Sequence, residues 1–315
     1  MEKQEILSLA ARYGVKQIEN FKEIDSSKPG DFRLNILIDK RYVLRVNDPV
    51  ITEERLAAID RLAGRYCASG IRAPRLFKSA DGTYLTRVGE RVCYISEYLD
   101  LPTLDTVRDT LTAAQNEAIE RELLRHIGRF AREYSDVDLQ PVMSMWSIID
   151  LAPLDVDIDE KQDNLNLLVK ALSDAGEHGT AERVSRFNEA NRKKILEVFR
   201  ALPRCVIQGD LNDSNILVSD GKFAGIIDFN MAGTEVNINT FCCEANEGFD
   251  ESDLETRPAE QVYAQMSDLS EQKLRVILEE YRLNDVERRV IRNYRNLVTI
   301  SQYPNVCQYL RGLKN

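Results

Sequence analysis

Long apolar runs are missing from this 315-residue chain. No segment reaches the roughly 18 apolar residues that a membrane-spanning helix needs, so no membrane association is expected. The N-terminus, Met-Glu-Lys-Gln-Glu-Ile, carries acids early and has no apolar stretch behind them. A secretory signal is therefore not expected, and a cytoplasmic location is. Cysteine is scarce and unpatterned: six residues, at 67, 93, 205, 242, 243 and 307, with no Cys-x-x-Cys spacing. That scatter argues for small buried thiols in a reducing compartment, against a disulfide or zinc framework. Internal repeats and low-complexity segments are absent as well. The acids Asp155, Asp157, Asp159, Glu160 and Asp163 alternate like a calcium loop. No glycine follows where such a loop must turn, so a solvated loop leading into a helix is the expectation.

Basic charge is also in short supply. Asp and Glu number 52 against 42 Lys and Arg, a net charge of −10. The imbalance is uneven: residues 1–97 hold 17 basic and 14 acidic side chains, residues 98–315 hold 25 and 38. An acidic larger half argues against nucleic acid as a partner, which wants a basic face. It would steer a cationic small molecule inward, and it is equally compatible with an ordinary solvated surface.

What is present falls into a regular order. Residues 1–13 have helical spacing and Gly14 as a stop. Gln17 to Ile24 reads as a strand, 25–31 as a polar turn, and Phe32, Leu34, Ile36 and Ile38 alternate as a second strand. Asp39-Lys40 makes a tight hairpin to a third, Arg41 to Val46. Asp48-Pro49 suits a helix cap, and Leu56, Ile59, Leu62, Ala63 and Tyr66 mark one face of the helix that follows. Further strands are expected around Ala73–Phe77 and Arg91–Leu99. Leu101-Pro102-Thr103 is a boundary. Beyond it, 112–134, 161–174, 181–200, 270–283 and 285–300 read as amphipathic helices. His126, near the apolar stripe of the first of these, is expected to be a core histidine. Trp146, with Met143, Met145, Ile148 and Ile149, is expected to be a packing cluster, with the lining of an acceptor pocket as the alternative.

The chemistry concentrates in 206–229. An apolar run delivers Gly209-Asp210, four residues are skipped, and Asn215 opens a second run. A turn at 219–222 leads to a third run ending on Asp228. Two carboxylates and a carboxamide at the ends of short buried strands suit phosphoryl transfer. That reaction needs a carboxylate to position an acceptor hydroxyl, and oxygen ligands to hold Mg²⁺ against phosphates. A plain hairpin with polar turns would use Asp and Asn for conformational reasons alone; the second Asp and the flanking strands favour the site.

Gln208-Gly209-Asp210-Leu211, Asn215-Ile216-Leu217 and Ile227-Asp228-Phe229 resemble the hallmark of the aminoglycoside phosphotransferase and choline kinase-like family. One letter differs: Gln208 stands where the family has His. The resemblance implies an α+β, protein-kinase-like fold of two lobes. A small antiparallel-sheet lobe, 1–100, would bind nucleotide, and a larger, mainly helical lobe, 101–315, would carry catalysis and the acceptor. It implies ATP, or GTP, with Mg²⁺ as cofactors, and a small-molecule acceptor bearing a hydroxyl. Asp210 would be the base or orienter, and Asn215 and Asp228 the metal ligands. Arg45 stands where the phosphate-pairing cation belongs, usually Lys. The turn 25–31 would cover phosphate, with Ser26 and Ser27 near it. Backbone groups of Glu97 to Leu99 would meet the adenine edge.

The chain departs from the family at several other points. There is no Gly-x-Gly-x-x-Gly in the turn. Glu53 and Glu54 lie off the helix stripe on which a partner for Arg45 is expected. The Asp that many members carry after 228 is replaced by an Asn-rich segment. Acids between Glu244 and Glu255 could contact a cationic acceptor or simply be solvated. The motifs of protein-directed kinases, His-Arg-Asp, Asp-Phe-Gly and Ala-Pro-Glu, are missing. These departures leave a second expectation, a pseudokinase-like binding module, beside that of a small-molecule kinase.

Overall fold

A computed structural model describes residues 3–27, 32–135, 160–198, 202–245 and 270–291. The chain divides into two compact units, Met1–Asn116 with Asn212–Asp228, and Glu117–Leu211 with Phe229–Asn315.

The first unit is built on an antiparallel sheet of β1 (Phe21–Asp25), β2 (Arg33–Ile38), β3 (Tyr42–Asn47), β4 (Leu76–Phe77), β5 (Thr86–Val88) and β6 (Arg91–Glu97). The order is β1-β2-β3-β6-β4, with β5 also paired to β6. The period-two pattern decides which face is buried. Leu34, Ile36, Ile38, Leu44, Val46, Cys93 and Ile95 form one core with Ile6, Leu9, Ala10 and Tyr13, which belong to or follow helix α1 (Lys3–Arg12). Each fully buried Ile or Leu contributes about 2 kcal/mol. The hairpin expected at Asp39-Lys40 is present, and both residues take left-handed backbone, φ 48° and 53°, whose twist matches the flanking strands. The first strand starts later than expected, at Phe21.

Helix α2 (Glu53–Ala68) buries the stripe read from the sequence. Its cap differs from expectation. Thr52, not Asp48, is the N-cap, its Oγ1 accepting from Arg55 N–H at 3.2 Å. Asp48 is engaged elsewhere: its Oδ2 accepts from Phe32 N–H at 2.8 Å and ties the start of β2 to the end of β3. Within the helix a buried acid, Asp60, gathers four donors. Arg75 gives Nε and Nη2 at 2.9 and 2.8 Å, and Leu76 N–H and the Tyr84 hydroxyl each donate at 2.9 Å. Burial alone would raise its pKa, but these donors hold it below the usual carboxylate range.

The first unit also carries α3 (Leu104–Val107) and a hairpin of β8 (Ile216–Ser219) and β9 (Lys222–Ile226). Its turn, Asp220-Gly221, is again left-handed, φ 52° and 68°. Backbone hydrogen bonds stitch the hairpin to the rest of the unit. Arg72 N–H donates to Ala224 O (3.1 Å), Ile226 N–H to Arg72 O (2.8 Å) and Val218 N–H to Pro102 O (2.9 Å).

The second unit is mainly helical. Helix α4 (Ala113–Glu133) opens with a reciprocal cap: Thr112 N–H donates to Gln115 Oε1 and Gln115 N–H to Thr112 Oγ1. It is followed by α5 (Glu160–Asp174), α6 (His178–Val198) and β7 (Arg204–Ile207). After them come β10 (Gly233–Val236), α7 (Asn237–Glu244), α8 (Glu271–Glu280) and α9 (Asp285–Val290). Helices α4 and α8 cross closely at Gly128, where a Cβ would lie 2.3 Å from Ile277 O. Lys273 and Glu120, 2.6 Å apart, pair across the same contact. Strand β7 pairs antiparallel with β10, a strand the sequence reading had taken as an Asn-rich replacement segment.

The architecture is thus α+β, an antiparallel sheet in the N-terminal region and helices dominating the C-terminal part, as expected. Among the described residues no helix is long and apolar enough to cross a membrane, and the five cysteines are free. The cluster around Trp146, the acids at 155–159 and 247–255, and residues 292–300 lie outside the described residues.

Candidate active site

Strand β7 ends at Ile207, paired with Gly233. Gln208 follows, fully buried. Gly209 then takes φ 86°, a left-handed conformation that glycine reaches without a Cβ clash. Asp210 emerges partly exposed, and its N–H donates to Gln208 Oε1 at 2.7 Å. These residues belong to the second unit.

Residues Asn212–Asp228 belong to the first unit. Asn212 caps a short 3₁₀ turn, Asp213–Asn215, its Oδ1 accepting from Ser214 N–H at 3.0 Å. Asn215 is buried, and its carbonyl accepts from Ile227 N–H at 2.9 Å. That bond extends the β8–β9 register by one step, so Asn215 lies opposite Ile227, beside Asp228. The strand expected to run to Asp228 stops at Ile226, and Asp228 sits just past it with φ 57°. A left-handed Asp is uncommon and strained enough to suggest a purpose. A carboxamide and a carboxylate, both hard oxygen donors, are thus held at one end of one hairpin.

Arg45 is on β3, an interior strand, so it is not an edge residue reaching solvent. It lies on the half-exposed face of the sheet, opposite Asn35 and Tyr94. Its Nε is buried with no hydrogen-bond partner among the described residues. Such a donor is costly unless an anion meets it. Glu53, one of the two acids considered as its partner, is occupied otherwise: its carboxylate accepts from Tyr84 N–H (2.9 Å) and Leu85 N–H (2.8 Å). Glu54 is exposed. The guanidinium on the helix stripe is Arg55, whose pKa burial lowers.

Ser26 and Ser27 are exposed and knit the rim of their turn. Ser26 N–H donates to Arg33 O at 2.9 Å, and Arg33 N–H donates to Ser27 Oγ at 3.0 Å. Residues 28–31 lie outside the described residues. At the end of β6, Glu97 N–H donates to Arg75 O (2.8 Å) and Tyr98 N–H to Arg41 O (2.8 Å), while Leu99 O accepts from Leu101 N–H (2.8 Å).

In the second unit, Glu244 ends α7 and is partly buried. Its carboxyl is pushed up to about 7, first by burial, then by the negative charge of Asp210, with Lys273 pulling the other way. From the sequence Glu244 was only the first of a string of acids; nothing there set it near Asp210. Glu235, buried in β10 with its Oε1 accepting from Val236 N–H at 2.6 Å, went unnoticed for the same reason. His126 is buried as expected, its pKa pushed down to about 4 by burial and by Arg129.

The model of a phosphotransferase enzyme family, APH, matches residues 31–235. No curated protein matches this chain. Among solved structures, spectinomycin phosphotransferase APH(9)-Ia with ADP and spectinomycin is 12% identical, with a TM-score of 0.52, covering 94% of this chain and 84% of that one. A thermostable mutant of aminoglycoside phosphotransferase APH(4)-Ia, with AMP-PNP and hygromycin B, is also 12% identical with a TM-score of 0.52, covering 99% and 93%. At such identity the likeness is one of fold.

Proposed function

From the premise that the chain belongs to the phosphotransferase enzyme family, we propose a nucleotide-dependent kinase that phosphorylates a hydroxyl of a small, amine-bearing molecule. The observation that carries this reading is the 206–228 stretch. It keeps Asp210, partly exposed, bonded through its N–H to the buried Gln208, and Asn215 and Asp228 close in register at a hairpin end. Asp210 orients the acceptor hydroxyl and takes its proton. Asn215 and Asp228 suit Mg²⁺, which keeps few protein ligands and takes the rest from phosphate and water. When bound, Mg²⁺ would supply positive charge against the nucleotide phosphates. Arg45, with its orphaned Nε, presents a bidentate donor to phosphate. Ser26, Ser27 and the backbone of Glu97 to Leu99 complete the nucleotide contacts. Residues 1–100 serve as the nucleotide lobe and 101–315 as the catalytic and acceptor lobe, in the cytoplasm. The acidic excess of 98–315 favours a cationic acceptor.

The test is thermal stabilisation by Mg-ATP and Mg-GTP, followed by nucleotide consumption on an acceptor panel. The panel begins with spectinomycin and hygromycin B, which the similar structures hold. Stabilisation of several degrees and turnover on one acceptor are expected. No stabilisation by either nucleotide would sink the reading. Stabilisation without turnover would favour the second reading, a nucleotide-binding module, for which the engagement of Glu53 away from Arg45 speaks.

A further inference from the structure

We infer that Arg108 is a positioning residue for Asn215, acting through its ion pair with Asp213. The inference rests on the functional reading above, in which Asn215 holds Mg²⁺, and deepens it.

Asn215 ends the single 3₁₀ turn Asp213–Asn215, closed by its own N–H donating to Asn212 O at 2.9 Å. A 3₁₀ turn has poorer hydrogen-bond geometry than an α-helix and gains from outside support. Here a group from far along the chain meets it. Arg108 Nη2 lies 2.5 Å from Asp213 Oδ2. Asp213 opens the turn and Asn215 closes it, so a tether on the first residue bears directly on the third.

Arg108 is itself well held. It ends helix α3, its N–H donating to Leu104 O. Its carbonyl accepts from Leu111 N–H at 3.3 Å and from Asn116 Nδ2 at 3.2 Å. The segment that carries it is bound to strand β8, through Val218 N–H to Pro102 O and an antiparallel bridge of Thr103 with Leu217. Backbone bonds therefore fix α3 against the strand that leaves the turn, and the guanidinium reaches the residue that enters it. The two attachments bracket Asn215. A guanidinium suits the task, since it stays charged and presents its donors in a rigid plane.

Stability does not explain the pair. Its two side chains are 47% and 41% exposed, and an ion pair so open to water adds little to folding. What it supplies is geometry: it narrows the positions open to the turn before a metal is bound. Partners outside the coordination sphere that orient a ligand set metal affinity in this way. The bonds of Asn215 to Asn212 and Ile227 share in holding it, so the effect of Arg108 is graded.

The experiment compares wild type with Arg108→Gln, Arg108→Lys, Asp213→Asn and the double variant Arg108→Gln/Asp213→Asn. In Arg108→Gln the Mg²⁺ concentration for half-maximal nucleotide binding, read by calorimetry, is expected to rise about three- to tenfold. In protein free of metal and nucleotide, amide hydrogen exchange at Asn215 should quicken by about the same factor. The melting temperature should stay within about 2 °C of wild type. Arg108→Lys keeps the charge and should remain within about twofold of wild type on both readouts. The double variant should be no worse than Arg108→Gln alone, because both changes remove one pair. Additive losses would overturn the pair as the cause. Unchanged exchange in Arg108→Gln, or faster exchange with an unchanged Mg²⁺ requirement, would overturn the positioning role. Wild-type nucleotide binding indifferent to Mg²⁺ would overturn the functional reading, and exchange at Asn215 would still decide whether Arg108 holds the turn. Should Arg108→Gln fail to fold, Asp213→Asn reads the same pair from its other side. Exchange at Asn215 as slow as wild type in that variant would overturn the proposal.

Discussion

The two halves of the 206–228 stretch hold their functional side chains by different means. Asn215 and Asp228 are placed by register: a hairpin pairing Ile216 with Ile226 and Leu217 with Gly225, with one irregularity after Leu217, a left-handed Asp220-Gly221 turn and backbone bonds to Arg72 and Pro102. Asp210 lies beyond the end of its strand, and its N–H bonds to the Gln208 carboxamide across Gly209. Register spreads its support over many bonds, so no single side chain within it is decisive. Beyond the strand end that support stops, and there the chain carries Gln208 in place of the hallmark's His.

The comparison breaks most sharply at the carboxylates themselves. Asp210→Asn is expected to lower kcat about 10²- to 10⁴-fold while leaving Mg-nucleotide binding intact by calorimetry. Asp228→Asn should do the reverse and abolish the Mg²⁺-dependent part of nucleotide binding. Asn accepts left-handed backbone as readily as Asp, so the hairpin should keep its melting temperature. Normal turnover in Asp210→Asn would remove its assigned role.

The hairpin can be broken through its backbone instead. A Cβ at Gly225 would lie 2.6 Å from Arg72 O and 2.9 Å from Arg72 Cβ. Gly225→Val should therefore cost about 2–4 kcal/mol, visible in chemical denaturation, and weaken Mg-nucleotide binding. Full stability would show that the stitch to Arg72 yields easily.

Two titrations sharpen the picture of the second unit. His126 is depressed to about 4 in the folded chain. Between its ordinary 6.5 and that value the unfolded chain binds the proton first, so stability falls as pH drops through this window. The loss should be about 2–3 kcal/mol, and His126→Gln should flatten the curve. Glu244 behaves oppositely. Its carboxyl is raised to about 7, so the folded chain holds the proton more tightly, and stability falls as pH rises from 4.5 through 7. Glu244→Gln should recover about 1 kcal/mol at pH 8, less than the shift alone implies because the side chain keeps an open edge. A melting temperature at pH 8 no higher than wild type would show that this carboxyl is not raised.

Much of the architecture was legible because local patterns carry it. The alternation at Leu34, Ile36 and Ile38, the stripe on α2, the turn at Asp39-Lys40 and the hallmark at 206–229 each need only neighbouring residues to be read. Element ends were less legible. Thr52 took the cap expected at Asp48 because Asp48 found a donor sixteen residues back, at Phe32. Strand β10 was missed because Gly233–Val236 is buried throughout and shows no alternation.

The chemistry on offer is written in the chain: two carboxylates and a carboxamide at fixed spacing, in an α+β member of the phosphotransferase family. Which polar groups are already engaged follows from the fold. Glu53 serves two backbone amides of Tyr84 and Leu85, Arg45 keeps a buried Nε to spare, Glu244 feels the charge of Asp210, and Gln208 reaches the amide of Asp210. The reason is physical. Helix and strand periods are set over a few residues, whereas the partner of a buried polar group is whatever the folded chain brings to it.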